Sequence, residues 1–294
     1  MVENAEALGF IIHPSPLSRP IELLAPARDA EVGREAILHG ADAVYIGGPS
    51  FGARAAAGNS VADIAALCAF AHIYDARVYV TLNTILYDGE VEEARALIQQ
   101  LYEAGVDALI TQDAALPELQ AEGRLAPIAL HASTQMDNRG VEDARQRQAE
   151  GFTRVVLARE SSLERIREIH KALPTLNIEA FVHGALCVSY SGRCYASAYK
   201  FDRSANRGCC AQFCRLAFDL VDDDGRIIER NRHLLSLKDM CQIENLEDMA
   251  EAGISSFKIE GRLKDLAYVK NVVAAYSEAL DKIVAKHPDK YRRA

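Results

Sequence analysis

The sequence predicts an α/β fold, a (β/α)8 TIM-like barrel, on three observations. A unit recurs in which an amphipathic helix ends at a glycine and an apolar strand begins two or three residues later, at Gly40, Gly105, Gly151 and Gly253. Glycine suits the left-handed cap of a helix, and strands that are apolar throughout suit a parallel sheet covered by helices. Four more apolar segments, at 21–24, 77–82, 128–131 and 178–182, bring the number of strands alternating with helices to eight. The third observation follows the first strand. Pro26-Ala27-Arg28-Asp29 stands where an open, doubly wound dinucleotide-binding sheet carries a glycine-rich loop.

Residues 1–20 read as an N-terminal extension. They hold Glu3, Glu6, His13 and three prolines, and lack the basic start and apolar run of a signal peptide. The barrel is expected over 21–294, a length that, with 49% apolar residues, buries a large core. Its strands are expected at 21–24, 43–46, 77–82, 106–110, 128–131, 152–157, 178–182 and 254–259. Cys68 falls in the helical pattern 64–71 and behaves there as a small buried hydrophobe. Between strands seven and eight lies a long Cys-rich insertion, 185–232, of the kind that often carries function. It contains a hairpin over 216–221 and 226–228 around an Asp-Gly turn at Asp224-Gly225, and Leu234-Leu235-Ser236-Leu237 reads as an extra strand. A final helix over 268–285 is expected to pack outside the barrel.

No segment approaches the roughly 20 apolar residues needed to cross a bilayer, so no membrane contact is expected. A cytoplasmic location, where thiols stay reduced, is expected for the same reasons. The net charge of −9 argues against a surface that binds nucleic acid everywhere. Contact with anions must be local. The cysteine segment within the insertion, 187–215, is locally basic, with Arg193, Lys200, Arg203, Arg207 and Arg215 against Asp202. That excess is either an ordinary solvated loop or a site for a phosphate backbone or a small carboxylate substrate.

The chemistry concentrates in Cys187, Cys194, Cys210 and Cys214. Thiols crowded this closely without an export signal hold a soft metal more readily than they form disulfides. Cys209 adjoins Cys210 and cannot easily share one ion with it, while Cys241 remains a substitute fourth ligand. Gaps of six, fifteen and three residues resemble an iron–sulfur pocket more than a paired zinc knuckle, although zinc also fits four thiolates.

In a TIM barrel the active site lies at the carboxyl ends of the strands. Reading outward from those ends gives Asn83, Gln112 and Asp113, His131 with Ser133, Thr134 and Gln135, Arg159 and Glu160, His183, and Lys258, Glu260 and Arg262. His183 sits four residues before Cys187, so metal and pocket are expected to be neighbours. No His-Glu-x-x-His helix is present, which removes one familiar hydrolytic mechanism.

Glu179-Ala180-Phe181-Val182-His183-Gly184-Ala185-Leu186-Cys187, followed by Ser191-Gly192-Arg193-Cys194, resembles the signature of the collagenase-like peptidase family, and the similarity runs from about Ile21 to Lys286. Tyr45-Ile46-Gly47-Gly48-Pro49, Phe51-Gly52-Ala53-Arg54, the segment 81–86, His131-Ala132-Ser133-Thr134-Gln135 and the segment 203–208 resemble the branch that makes 5-hydroxycytidine in large-subunit ribosomal RNA. The resemblance implies a [4Fe-4S] cluster on Cys187, Cys194, Cys210 and Cys214, with prephenate as hydroxyl source. It implies ribosomal RNA as partner, met in part through a C-terminal domain that such relatives carry beyond this barrel.

On this reading Arg54, Arg159 or Arg262 binds substrate carboxylates, alongside Asn83, Gln112, Gln135 and Lys258. His131, His183 or Glu260 serves as acid or base. The competing expectations are a collagenase-like peptidase, a zinc-stabilised scaffold that docks RNA, and a hydroxylase of transfer-RNA uridine or of the ubiquinone ring.

Overall fold

The computed structural model describes residues 18–52, 58–261 and 264–294. Seven strands alternate with helices in its first part. The strands are β1 (Arg19–Ala27), β2 (Ala43–Gly47), β3 (Arg77–Leu82), β4 (Ala108–Thr111), β5 (Ala129–Ala132), β6 (Arg154–Val156) and β7 (Asn177–Gly184). Between them lie α1 (Ala30–Leu38), α2 (Val61–Ile73), α3 (Val91–Glu103), α4 (Ala115–Ala121), α5 (Val141–Ala149) and α6 (Leu163–Ala172). Helix starts carry capping side chains: Asp29 accepts from Val32 N at the head of α1, and Ser60 and Ser162 cap α2 and α6. Each such cap is worth about 1 kcal/mol.

After β7 the chain makes a long excursion containing α7 (Ala196–Phe201) and an antiparallel hairpin of β8 (Phe218–Val221) and β9 (Ile227–Arg232). It returns through β10 (Met240–Cys241) and α8 (Leu246–Ala252) to β11 (Ser256–Ile259), then ends in α9 (Leu266–Lys286) and β12 (Tyr291–Arg293). Each of β1 to β6 pairs in parallel with the next, and β11 joins β7 to β1. The result is a closed parallel barrel of eight strands. No helix among the described residues is long and apolar enough to cross a membrane.

Strand side chains alternate between two apolar layers. Val44, Ile46, Val78, Val80, Leu109 and Leu130 face the helices, while Leu24, Ala43, Tyr45, Tyr79, Ala108 and Ile110 fill the barrel. Each fully buried Val, Ile or Leu stabilises the fold by about 1.5–3 kcal/mol. The barrel interior also holds buried charge. Arg154 contacts Glu22 at 2.5 Å and Glu179 at 3.2 Å, and Lys258 meets Glu179 at 2.7 Å. Tyr79 and Ser256 donate to Glu22 at 2.6 and 2.7 Å. Burial pushes the Glu22 carboxyl up, but Arg154 and the two hydroxyls outweigh it and hold the group below its ordinary value.

Two expectations are corrected here. Leu234-Leu235-Ser236-Leu237 forms no strand. The carbonyl of Leu237 accepts instead from the Arg215 guanidinium, and the extra strand is β10, antiparallel to the end of β7. The first strand also starts earlier than expected, inside the segment read as an extension, because β12 pairs with Arg19, Pro20 and Ile21 and draws them into the sheet.

Candidate functional site

The cysteine excursion leaves β7 through a glycine that no other residue can replace without a shift. Gly184 has φ +104°, and a Cβ there would lie 2.5 Å from the carbonyl oxygen of Glu260 at the end of β11. Beyond it the chain folds back over the barrel mouth and is stapled to one strand exit after another. Ser191 donates from its amide and hydroxyl to the Glu160 carboxylate, both at 3.1 Å, and its hydroxyl accepts from Arg159 N at 3.3 Å. Gly192, at φ +75°, presses on the backbone of Gln135. Arg193 pairs with Asp137, and the Asn206 carbonyl accepts from Gln112 at 2.9 Å. Arg207 grips Glu90 through two hydrogen bonds of 2.9 and 2.6 Å and lies over the Tyr87 ring.

These staples gather the thiols. Burial pushes the Cys214 thiol up, and the neighbouring Cys187, Cys210 and Cys194 push it further against the pull of Arg215. All four cysteines are therefore electrostatic neighbours, and all are free. Among the described residues no three His, Cys, Asp or Glu side chains converge tightly enough to hold a single metal ion. An all-thiol donor set suits an iron–sulfur group in donor chemistry. Cys241 lies apart from the four, with its sulfur 3.7 Å from the Tyr276 hydroxyl on α9.

Next to Cys187 is a cleft of about 400 Å³, lined among others by Arg159, Glu160, Val188 and Tyr190. Arg159 and Glu260 meet at 2.9 Å, each with 17% of its side chain exposed, and the Arg159 guanidinium lies 4.0 Å over the Phe181 ring. Below this level Gln112 donates to the Asn83 carbonyl at 2.9 Å, and Asn83 donates to Ser133 Oγ at 3.4 Å. Asn83 and Gln112 thus tie β3, β4 and β5 to the excursion rather than standing open. Gln135 is half-buried beneath Gly192, and Asp113 accepts from the amides of Leu86 and Ala115 as a loop and helix anchor.

Three expected site residues point elsewhere. Lys258 is buried in the barrel with its ammonium on Glu179, not in the mouth. His183 turns outward, with Nδ1 3.2 Å from the Tyr276 hydroxyl and its ring against Tyr268 and Tyr276. A register irregularity between β7 and β11 at Lys258 and Ile259 accompanies that turn. His131 sits deep in the barrel, edge-on to Tyr79 at 4.9 Å, and its Nδ1 has no hydrogen-bond partner. Burial first, then Arg154, Lys258 and Arg77, hold its imidazole well below the usual value. Arg54 and Arg262 lie outside the described residues. The reading from sequence gave no role to Ser191 and Phe181, which anchor the excursion and floor Arg159. Ser191 opens the Ser-Gly-Arg-Cys part of the signature, and that was its available signal.

The profile of peptidase family U32 matches residues 28–294. The chain belongs to peptidase family U32. Among relatives of this U32 chain, the 23S rRNA 5-hydroxycytidine C2501 synthase of Escherichia coli (strain K12) is 57% identical over 272 residues, which cover 92% of this chain and 41% of that protein. The tRNA hydroxylation protein P1 of Bacillus subtilis (strain 168) is 38% identical over 273 residues, covering 90% of this chain and 64% of that protein. The U32 chain therefore spans less than two thirds of the length of either. The solved structure of the U32 peptidase Mk0906 superposes with a TM-score of 0.56 at 12% identity, over 86% of this chain and 98% of that one, a likeness of fold alone.

Proposed function

We propose that this chain is the catalytic barrel of an oxygen-independent hydroxylase that forms 5-hydroxycytidine in large-subunit ribosomal RNA. The 57% identity to a synthase of that nucleoside, over 92% of the chain, carries the reading. The gathering of four thiols beside the Arg159 cleft supports it. Cys187, Cys194, Cys210 and Cys214 are the residues that hold a [4Fe-4S] cluster, which when bound supplies one-electron chemistry at the mouth.

Prephenate is the proposed hydroxyl source, and Arg159 is the group that binds its carboxylate. The guanidinium lines the cleft, and contacts with Phe181 and Glu260 hold it in place, so little side-chain freedom is lost when a carboxylate accepts its fork. Of the three acid–base candidates, Glu260 stands at the cleft through its pairing with Arg159. His131 is neutral and enclosed, and its unpaired Nδ1 can accept a proton or hydrogen bond only from inside the barrel.

The test is nucleoside mass spectrometry of ribosomal RNA from cells with and without the gene. Hydroxycytidine disappears on deletion, returns with the intact gene, and does not return with Cys187→Ala. Unchanged RNA, together with gelatin cleavage that survives Cys187→Ala and Cys194→Ala, replaces this reading with a peptidase.

A further inference from the structure

Four large aromatic side chains of the excursion stand in solvent. Tyr190 is 63% exposed, Tyr195 67%, Tyr199 92% and Phe201 47%. Exposing so much ring area is costly unless something covers it. Tyr199 N donates to the Tyr195 carbonyl at 2.9 Å, so these two rings lie one turn apart on the same face of α7. The opposite face is docked. Ser197 is buried and accepts from Ala211 N at 3.0 Å, while the Phe201 ring packs on Phe213, the neighbour of Cys214, at 5.5 Å between centroids. The helix cannot roll to bury its tyrosines without releasing the thiol loop.

The cations nearest α7 serve different ends. Arg193 and Arg207 are consumed by Asp137 and Glu90, tying the loop to the barrel. Lys200 lies on α7 beside Tyr199, and Arg203 follows the helix with the exposed Asp202 between them; among the described residues neither cation forms an ion pair with a carboxylate, and the Arg203 guanidinium donates to the Cys209 carbonyl at 3.1 Å. Solvent-facing rings with uncompensated cations beside them are the physical requirement for holding single-stranded nucleic acid, since every base offers a face to stack and every linkage a phosphate. A protein-docking face requires no such excess of cations.

We propose that the outer face of α7 is a stacking platform for single-stranded RNA, with Tyr195 and Tyr199 each carrying a base and Lys200 and Arg203 the adjoining phosphates. This rests on the RNA-hydroxylase reading and deepens it. The platform adjoins Cys194, and Tyr190, stacked under Arg139 at 4.0 Å, extends it to the rim of the cleft. Strand paths from α7 to the cleft thus run past the thiols. Stacking is tolerant of sequence, so the platform presents a strand and the choice of cytidine is made in the cleft.

The experiment measures fluorescence anisotropy of a short labelled single-stranded RNA, and of the same RNA annealed to its complement, with the full chain as isolated from cells. The Tyr195→Ala, Tyr199→Ala double variant weakens single-strand binding roughly tenfold or more, while the corresponding Phe variant, which keeps the rings, binds as the parent does. Lys200→Gln lowers the slope of log affinity against log salt by about 0.7. Parent-like RNA binding by the double Ala variant overturns the proposal and is the result a protein-docking face gives; equal losses on duplex and single strand overturn it too. The two readings separate in cells. If the double Ala variant restores hydroxycytidine at parental levels, the platform fails and the hydroxylase stands. If RNA binding depends on the tyrosines but deletion leaves hydroxycytidine unchanged, the platform stands and the hydroxylase fails.

Discussion

Arg159 at the exit of β6 meets Glu260 at the exit of β11 at 2.9 Å, although 101 residues separate them in the chain. The pair bridges two strands that are not neighbours in the sheet, beside the cleft that Cys187 lines. Closure of the barrel brings them together, and the excursion between β7 and β11 covers them.

Arg159→Lys keeps the charge and loses the planar fork. For a carboxylate co-substrate this raises KM about tenfold or more, the worth of a charge-assisted hydrogen bond at roughly 1.5–3 kcal/mol, with a smaller effect on kcat. Steady-state kinetics against the carboxylate concentration checks it. An unchanged KM removes Arg159 from substrate binding.

Lys258→Met tests the burial of that ammonium. It leaves Glu179 in the barrel with one cation fewer, and the expected effect is a loss of stability of about 3–5 kcal/mol, read by denaturant unfolding. Arg154→Met, which strips both carboxylates, costs at least as much. A stable Lys258→Met protein with a raised KM returns the residue to the substrate site.

The imidazole of His131 titrates far below 6.5 in the fold and at about 6.5 in the unfolded chain. With the folded value depressed, the unfolded state binds the proton first, so this contribution is complete above 6.5 and is lost as pH falls toward the folded value. Between about pH 7.5 and about pH 5.5 the loss is roughly 1 kcal/mol. Denaturant unfolding at the two pH values shows a smaller difference in His131→Gln than in the parent.

A Cβ at Gly192 would lie 2.0 Å from the Gln135 carbonyl oxygen, whereas one at Gly225 in the β8–β9 turn meets nothing within 4 Å. Both have positive φ. Gly225→Ala therefore costs only the backbone term of roughly 1–2 kcal/mol. Gly192→Ala costs more and lifts the thiol loop; on the proposed iron–sulfur reading it lowers the iron content of the isolated protein while the barrel keeps its circular dichroism. Equal effects at both sites show that the loop does not depend on this contact.

Much of the barrel was legible because its signals are local. Glycines at 40, 105, 151 and 253 mark helix ends, apolar runs mark strands, and Asp224-Gly225 marks a hairpin turn. The excursion was visible as a gap between strands, and its cysteines as a cluster in sequence, since both depend only on spacing. Leu234-Leu235-Ser236-Leu237 misled because an apolar run forms a strand only where a sheet edge is free to receive it.

By itself the sequence determined the alternation of strands and helices, and that a segment with four closely spaced cysteines follows the seventh strand. Tertiary structure decided where side chains point. Lys258, which strand position alone puts at the mouth, goes down to Glu179, His183 goes out to Tyr276, and Arg159 and Glu260 stay at the top. The reason is register: a strand side chain alternates sides with every residue, and its depth in the barrel is set by pairing with strands distant in sequence. A one-residue irregularity such as that at Lys258 and Ile259 changes that direction without leaving a mark in composition or periodicity.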